Sequence, residues 1–140
     1  LSNRVLDDLA MDILVFDWWV QNDDRKLTTL GGNPNLLWDV RSDELRVIDH
    51  NLAFDRAFKT DEFLSMHVFR EHWNRVFGDL DLRQHYLARI EGCLQQLQGV
   101  RDSIPDSWWW RDEGVPADIT WNEIEVVLLR ARQPQFWDNQ

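Results

Sequence analysis

Between residues 16 and 50 the polar side chains fall at the ends of short apolar runs, and this placement constrains the fold more than any other feature. Asn22-Asp23-Asp24-Arg25 follows one run, Asn33-Pro34-Asn35 precedes Leu36-Leu37-Trp38, and Asp49-His50 closes Val47-Ile48. Val5, Leu9, Ile13 and Phe16 recur at helical spacing, which predicts one apolar stripe on a helix ending near Trp18 and Trp19. Thr28 to Pro34 carries paired glycines and a proline and reads as a loop. Leu36 to Trp38 and Leu45 to Ile48 then read as a hairpin turning on Ser42-Asp43-Glu44. Antiparallel pairing brings the start of the first strand to the end of the second, so Asn35 and Asp49 are expected near each other.

The remainder reads as helical. Thr60 is a candidate cap with Asp61 and Glu62 in the first turn, and Met66, Phe69, Trp73 and Val76 share a face before Gly78. Leu82, Tyr86, Ile90, Cys93 or Leu94, and Leu97 mark a second helix stopping near Gly99, with Gly92 weakening its middle. Pro105 is expected to start a short helical turn through Trp110. Thr120-Trp121-Asn122-Glu123 has the form of a capping box, continued by Ile124, Val127, Leu128 and Ala131 to about Gln133. No internal repeat or low-complexity segment is evident. The fold class expected is mainly α with one small β-hairpin, and a single domain over residues 1–140, since 44% hydrophobic content can supply a core for that length.

A net charge of −10, with basic residues scattered rather than striped, argues against a nucleic acid or an anionic membrane as partner. The lone Cys93 excludes an intrachain disulfide and a multi-cysteine zinc site, and it suits a reducing, cytoplasmic setting. Ile13 to Phe16 is too short an apolar run to span a bilayer. The chain opens at Leu1 with helical periodicity under way, which reads as a fragment or processed product of something longer.

Asp24, Asn35 and Asp49 offer two carboxylates and an amide oxygen, a hard donor set that suits magnesium and not zinc. Phosphoryl transfer asks for those groups: one carboxylate to orient the attacking hydroxyl, an amide oxygen and a second carboxylate to hold cations against the phosphates. Each residue also has a plainer role, with Asp23 and Asp24 capping a turn and Asp49 ending a strand. Asp17, at a helix end, is expected to bond backbone or to pair with a base such as Arg25. His50 is expected to be structural, and His67, His72 and His85 lack the spacing of a helical metal pair. For Trp108-Trp109-Trp110, packing is favoured over ligand stacking, with at least one indole left at a boundary.

These motifs resemble the HipA-like kinase family and, more distantly, the type II phosphatidylinositol 4-kinases. The resemblance implies that Asp24 with Arg25 opens the catalytic loop, that Asn35 before Leu36 and Leu37 closes it, and that Asp49 after Ile48 holds the metal. Asn lies closer to Asp in the relatives, so Thr28 to Gly32 reads as an insertion, leaving Asn33 as a rival to Asn35 and Asp23 as a rival to Asp24. It further implies the carboxyl-terminal lobe of a protein-kinase-like fold whose strand-rich amino-terminal lobe is missing, since no Gly-rich loop or strand lysine is found. Expected ligands are ATP with Mg2+, and the expected acceptor is a hydroxyl of an unidentified protein. Without the other lobe, supplied in cis or in trans, the chain is expected to bind nucleotide weakly or not at all. Two alternatives stand beside this: a non-catalytic kinase-like binding module, and an aromatic-rich carbohydrate-binding or partner-binding domain.

Overall fold

The first helix, α1 (Asp7–Val20), is apolar around most of its circumference and buries Ala10, Met11, Ile13, Leu14, Val15, Trp18 and Val20. In the computed structural model, which describes residues 7–138, Leu9 and Phe16 of the expected stripe are 37% and 41% exposed. Val5 lies outside the described residues. A helix that is apolar nearly all round does not select its buried face from one four-residue repeat, so the core-facing side had to be set by its neighbours. The same buried face includes a charge, Asp17. Past Val20 the chain turns left-handed at Gln21 (φ +53°), and the Asn22 N–H reaches back to the Asp17 carbonyl at 2.8 Å. That long return bond is the mark of a Schellman end, here made without glycine.

Strands β1 (Leu36–Asp39) and β2 (Glu44–Val47) pair antiparallel with Leu36 opposite Val47 and Asp39 opposite Glu44. Downstream, the single helix expected from Thr60 to Gly78 is instead α2 (Thr60–Met66), one 3-10 turn (Arg70–His72) and α3 (Trp73–Gly78). The cap position is Lys59, without a side-chain bond, rather than Thr60. The break has a tertiary cause. Leu27 N–H donates to the Met66 carbonyl at 2.8 Å and Val68 N–H to the Arg25 carbonyl at 2.9 Å, so this stretch pairs with the loop after α1 in place of continuing its own helix. Trp18 anchors the packing, with ring centroids 5.6 Å from Phe63 and 5.0 Å from Trp73, which itself stacks on Phe77 at 3.8 Å. Burying aromatic side chains such as Phe63 and Phe77 contributes roughly 1.5–3 kcal/mol each before ordering costs.

These elements form one compact unit, Leu1–Asp79; a second, Leu80–Gln140, follows it. The second contains α4 (Leu80–Leu94), α5 (Leu97–Ser103), a 3-10 turn (Asp106–Trp109), β3 (Trp110–Asp112), β4 (Val115–Pro116), α6 (Trp121–Leu129), a 3-10 turn (Arg130–Arg132) and α7 (Pro134–Trp137). Tyr86, Ile90 and Leu94 of the expected stripe are buried, while Cys93 is exposed. α5 runs through Gly99, the residue expected to stop a helix. β3 and β4 make a second antiparallel hairpin that the sequence does not signal, closed by Gly114 at φ +72°. The capping box at Thr120 forms as expected: its hydroxyl accepts from Glu123 N–H at 3.3 Å, and Glu123 Oε2 accepts from Thr120 N–H at 2.8 Å. The fold is mostly helical with two small hairpins, consistent with a helical kinase-like lobe. No described helix is long and apolar enough to cross a membrane.

Candidate active site

The loop after α1 is built around a buried charge cluster. Asp17 is fully buried and accepts three hydrogen bonds: from Asn22 Nδ2 at 2.9 Å, from Arg25 Nε at 2.6 Å, and from His67 Nε2 at 3.0 Å. The Phe69 N–H donates to His67 Nδ1 at 3.1 Å, which assigns the ring hydrogen to Nε2 and makes His67 a donor to Asp17. Arg25, also fully buried, spends a second nitrogen on the hairpin: Nη1 donates to the Ile48 carbonyl at 3.0 Å and to the Asn35 carbonyl at 3.4 Å. Two buried polar atoms here, Arg25 Nη2 and Asn22 Oδ1, make no hydrogen bond among the described residues. Leaving a buried polar atom without a partner costs stability.

Two of the expected site residues, Asp24 and Asn35, meet at the hairpin's open end, and Asp49 follows the end of the second strand. Ile48 N–H donates to the Asn35 carbonyl at 3.0 Å, extending the ladder one step past Leu36 and Val47. Asn35 is buried, and its amide nitrogen donates to Asp24 Oδ2. Asn33 does something else. Its side-chain oxygen accepts from the Asn35 N–H at 3.2 Å, an Asx turn across Pro34 that orients the residue touching Asp24. Asp23 is committed to Lys26 at 2.5 Å. Burial works against the charge on Lys26, but hydrogen bonds to Asp23 and Glu62 outweigh it and hold the ammonium above the ordinary lysine value. Asp49 follows Ile48 directly, and its side chain is exposed. Further along the chain, Phe54 N–H donates to the Val20 carbonyl at the end of α1 at 2.7 Å.

Asn35 and Asp49 both adopt left-handed backbone, φ +52° and +53°, one on each side of the hairpin mouth. Paired strain of this kind persists where the surroundings over-determine it. Gly32 supports the same geometry, because a Cβ there would sit 2.4 Å from the Lys26 carbonyl oxygen. The stretch that reads as an insertion thus folds back against the loop it interrupts. Among the described residues no three His, Cys, Asp or Glu side chains gather as a metal site. In donor type, an Asn35 amide oxygen and an Asp49 carboxylate fit a magnesium ion that takes one or two protein carboxylates and completes its shell with phosphate and water.

A family model described as HipA-like kinase matches residues 1–140. The chain belongs to the HipA-like kinase family. No curated protein and no solved structure matches it significantly. Nothing in the match bears on the more distant likeness to type II phosphatidylinositol 4-kinases. In this member of the HipA-like kinase family, residue type and order give Asn22 and His67 no site role, and they give Asp17 only a local one. Asp17 does carry a signal, a carboxylate at the apolar end of α1, and of the two roles expected for it the structure shows the pairing with Arg25. His67 carries none, because its partner lies fifty residues away. His50 sits edge-on to Phe16 at 5.6 Å.

The second unit holds a cleft of about 510 Å³ lined by Arg101, Asp102, Ile104, Asp106, Trp109 and Trp121. Trp108 and Trp110 beside it are 71% and 54% exposed, so core packing does not account for two of the three consecutive indoles.

Proposed function

We propose that this HipA-like kinase transfers the γ-phosphoryl group of ATP to a serine or threonine hydroxyl of a protein. The observation that supports it most is the bond from the Asn35 amide to Asp24 at the mouth of a hairpin whose other strand runs into Asp49. In that arrangement Asp24 is the base, and Asn35 and Asp49 are the magnesium ligands. The Asn35 amide fixes Asp24 through Oδ2 and leaves Oδ1 for the acceptor. As the acceptor oxygen bonds to the γ-phosphorus, the bond from phosphorus to the β,γ-bridging oxygen breaks, the hydroxyl proton passes to Asp24, and ADP leaves. Magnesium bound there would offset the charge on the phosphate oxygens. A strand-rich lobe, in cis or in trans, is needed to cover the nucleotide, and the cytoplasm is the compartment that supplies ATP to such an enzyme.

Thermal stabilisation of the intact natural protein by ATP, dependent on magnesium and abolished by Asp49→Ala, is the expected result. No nucleotide effect in that form would turn the reading toward a non-catalytic kinase-like module. The exposed Trp108 and Trp110 favour a second reading, a carbohydrate-binding or partner-binding surface. Glycan binding that is lost in Trp109→Ala and retained in Asp24→Ala would support it.

A further inference from the structure

We propose that Asp17 and His67 are positioning residues for phosphoryl transfer, acting through Arg25 on the hairpin mouth that carries Asn35 and Asp49; this rests on the kinase reading above. Arg25 is fully buried, and its bonding nitrogens are taken by Asp17 and by the carbonyls of Asn35 and Ile48. A guanidinium so placed does not reach a phosphate. It instead holds the backbone of Asn35 on one strand and of the residue before Asp49 on the other, and both Asn35 and Asp49 need that hold because their φ angles are positive.

A guanidinium is rigid and planar, so fixing Nε fixes where Nη1 points, and Nε is fixed by Asp17 alone among the described residues. Asp17 is in turn oriented by donors from two directions, Asn22 on the same loop and His67 at the break between α2 and the following 3-10 turn. His67 is itself locked by the Phe69 N–H. The relay therefore runs from the helix break, through one carboxylate and one guanidinium, to the residues proposed to hold the metal. Partners of this outer kind orient metal ligands, and their loss typically costs about 10- to 100-fold in metal affinity or activity.

The test uses the intact natural protein with Asp17→Asn, His67→Gln, His67→Asn and Asp49→Ala. Asp17→Asn is expected to lower kcat and to raise the magnesium concentration for half-maximal activity by roughly 10- to 100-fold. In the metal-free protein it is also expected to speed hydrogen exchange at the Ile48 amide, which donates to Asn35. A glutamine at 67 can keep the donor to Asp17, whereas an asparagine can keep only the acceptor for Phe69, so His67→Gln should be the milder change. A folded Asp17→Asn protein with unchanged kcat, magnesium dependence and Ile48 exchange would overturn the inference. Should Asp17→Asn fail to fold, the histidine pair decides: a milder Gln supports the relay and equal effects overturn it. Activity retained in Asp49→Ala would sink the kinase reading itself, while an inactive Asp49→Ala beside a normal Asp17→Asn would sink only the relay.

Discussion

In the first unit the Arg25–Asp17 pair at 2.6 Å has both side chains wholly out of water, whereas in the second the Arg132–Glu91 pair at 2.8 Å leaves them 49% and 33% exposed. The chemistry is the same and the consequences differ. A buried pair gives back most of its Coulomb gain as desolvation, so its presence argues for a positional role, while an exposed pair tolerates loss because water replaces either partner. The largest expected effect follows from this. Asp17→Ala strands a buried guanidinium and should destabilise the protein by roughly 3–5 kcal/mol, read as a shift of the urea midpoint. Glu91→Ala should move the midpoint only slightly. Equal shifts would erase the contrast between the two units.

Gly32→Ala probes the same region through shape and not charge. Its Cβ would meet the Lys26 carbonyl oxygen at 2.4 Å, and backbone does not step aside as a side-chain tip can, so a cost of about 1–3 kcal/mol is expected by analogy with overpacked cores. Gly99→Ala, with nothing near its Cβ inside α5, should be neutral or slightly stabilising in the same denaturation experiment. The pair of glycines also shows what can be read from sequence. The hairpin and the Thr120 capping box are legible because turn residues and capping chemistry are local. Gly99 reads as a stop on local grounds that the helix overrides at modest cost. The break at His67 is not legible, since nothing in its own stretch disfavours a helix and the competing bonds come from Arg25, Leu27 and Asp17. At the site, Asp24, Asn35 and Asp49 stand out by residue type and order, but the choice of Asn35 over Asn33 as the partner of Asp24 rests on an Asx turn that only the folded chain displays.

Thr120→Ala removes a cap in the second unit without touching a buried charge. The expected loss is about 1 kcal/mol, the usual worth of a threonine cap, because the Glu123 N–H can turn to water. Its informative feature is what should not change. Exchange at the Ile48 amide in the first unit should match the unmodified protein, and any acceleration there would mean that stability is shared across the chain more evenly than the contrast allows.

The smallest effect lies at the acid end. Hydrogen bonds from Lys59 and then Lys26 hold the Glu62 carboxyl below the ordinary glutamate value, and the Arg132 guanidinium does the same for Glu91. A lowered folded-state pKa adds stability above the unfolded value, near 4.5, and that stability is lost as pH falls through the folded value. The Glu62 and Glu91 side chains keep 37% and 33% of their surface in water, so each contribution should be slight and should fade with added salt. Glu62→Gln and Glu91→Gln should therefore flatten the acid limb of stability against pH by similar small amounts, at low salt only. A large, salt-resistant change from Glu62→Gln alone would show that the ion cluster of Asp23, Lys26, Lys59 and Glu62 belongs with the buried network of the first unit and not with the solvated pairs of the second.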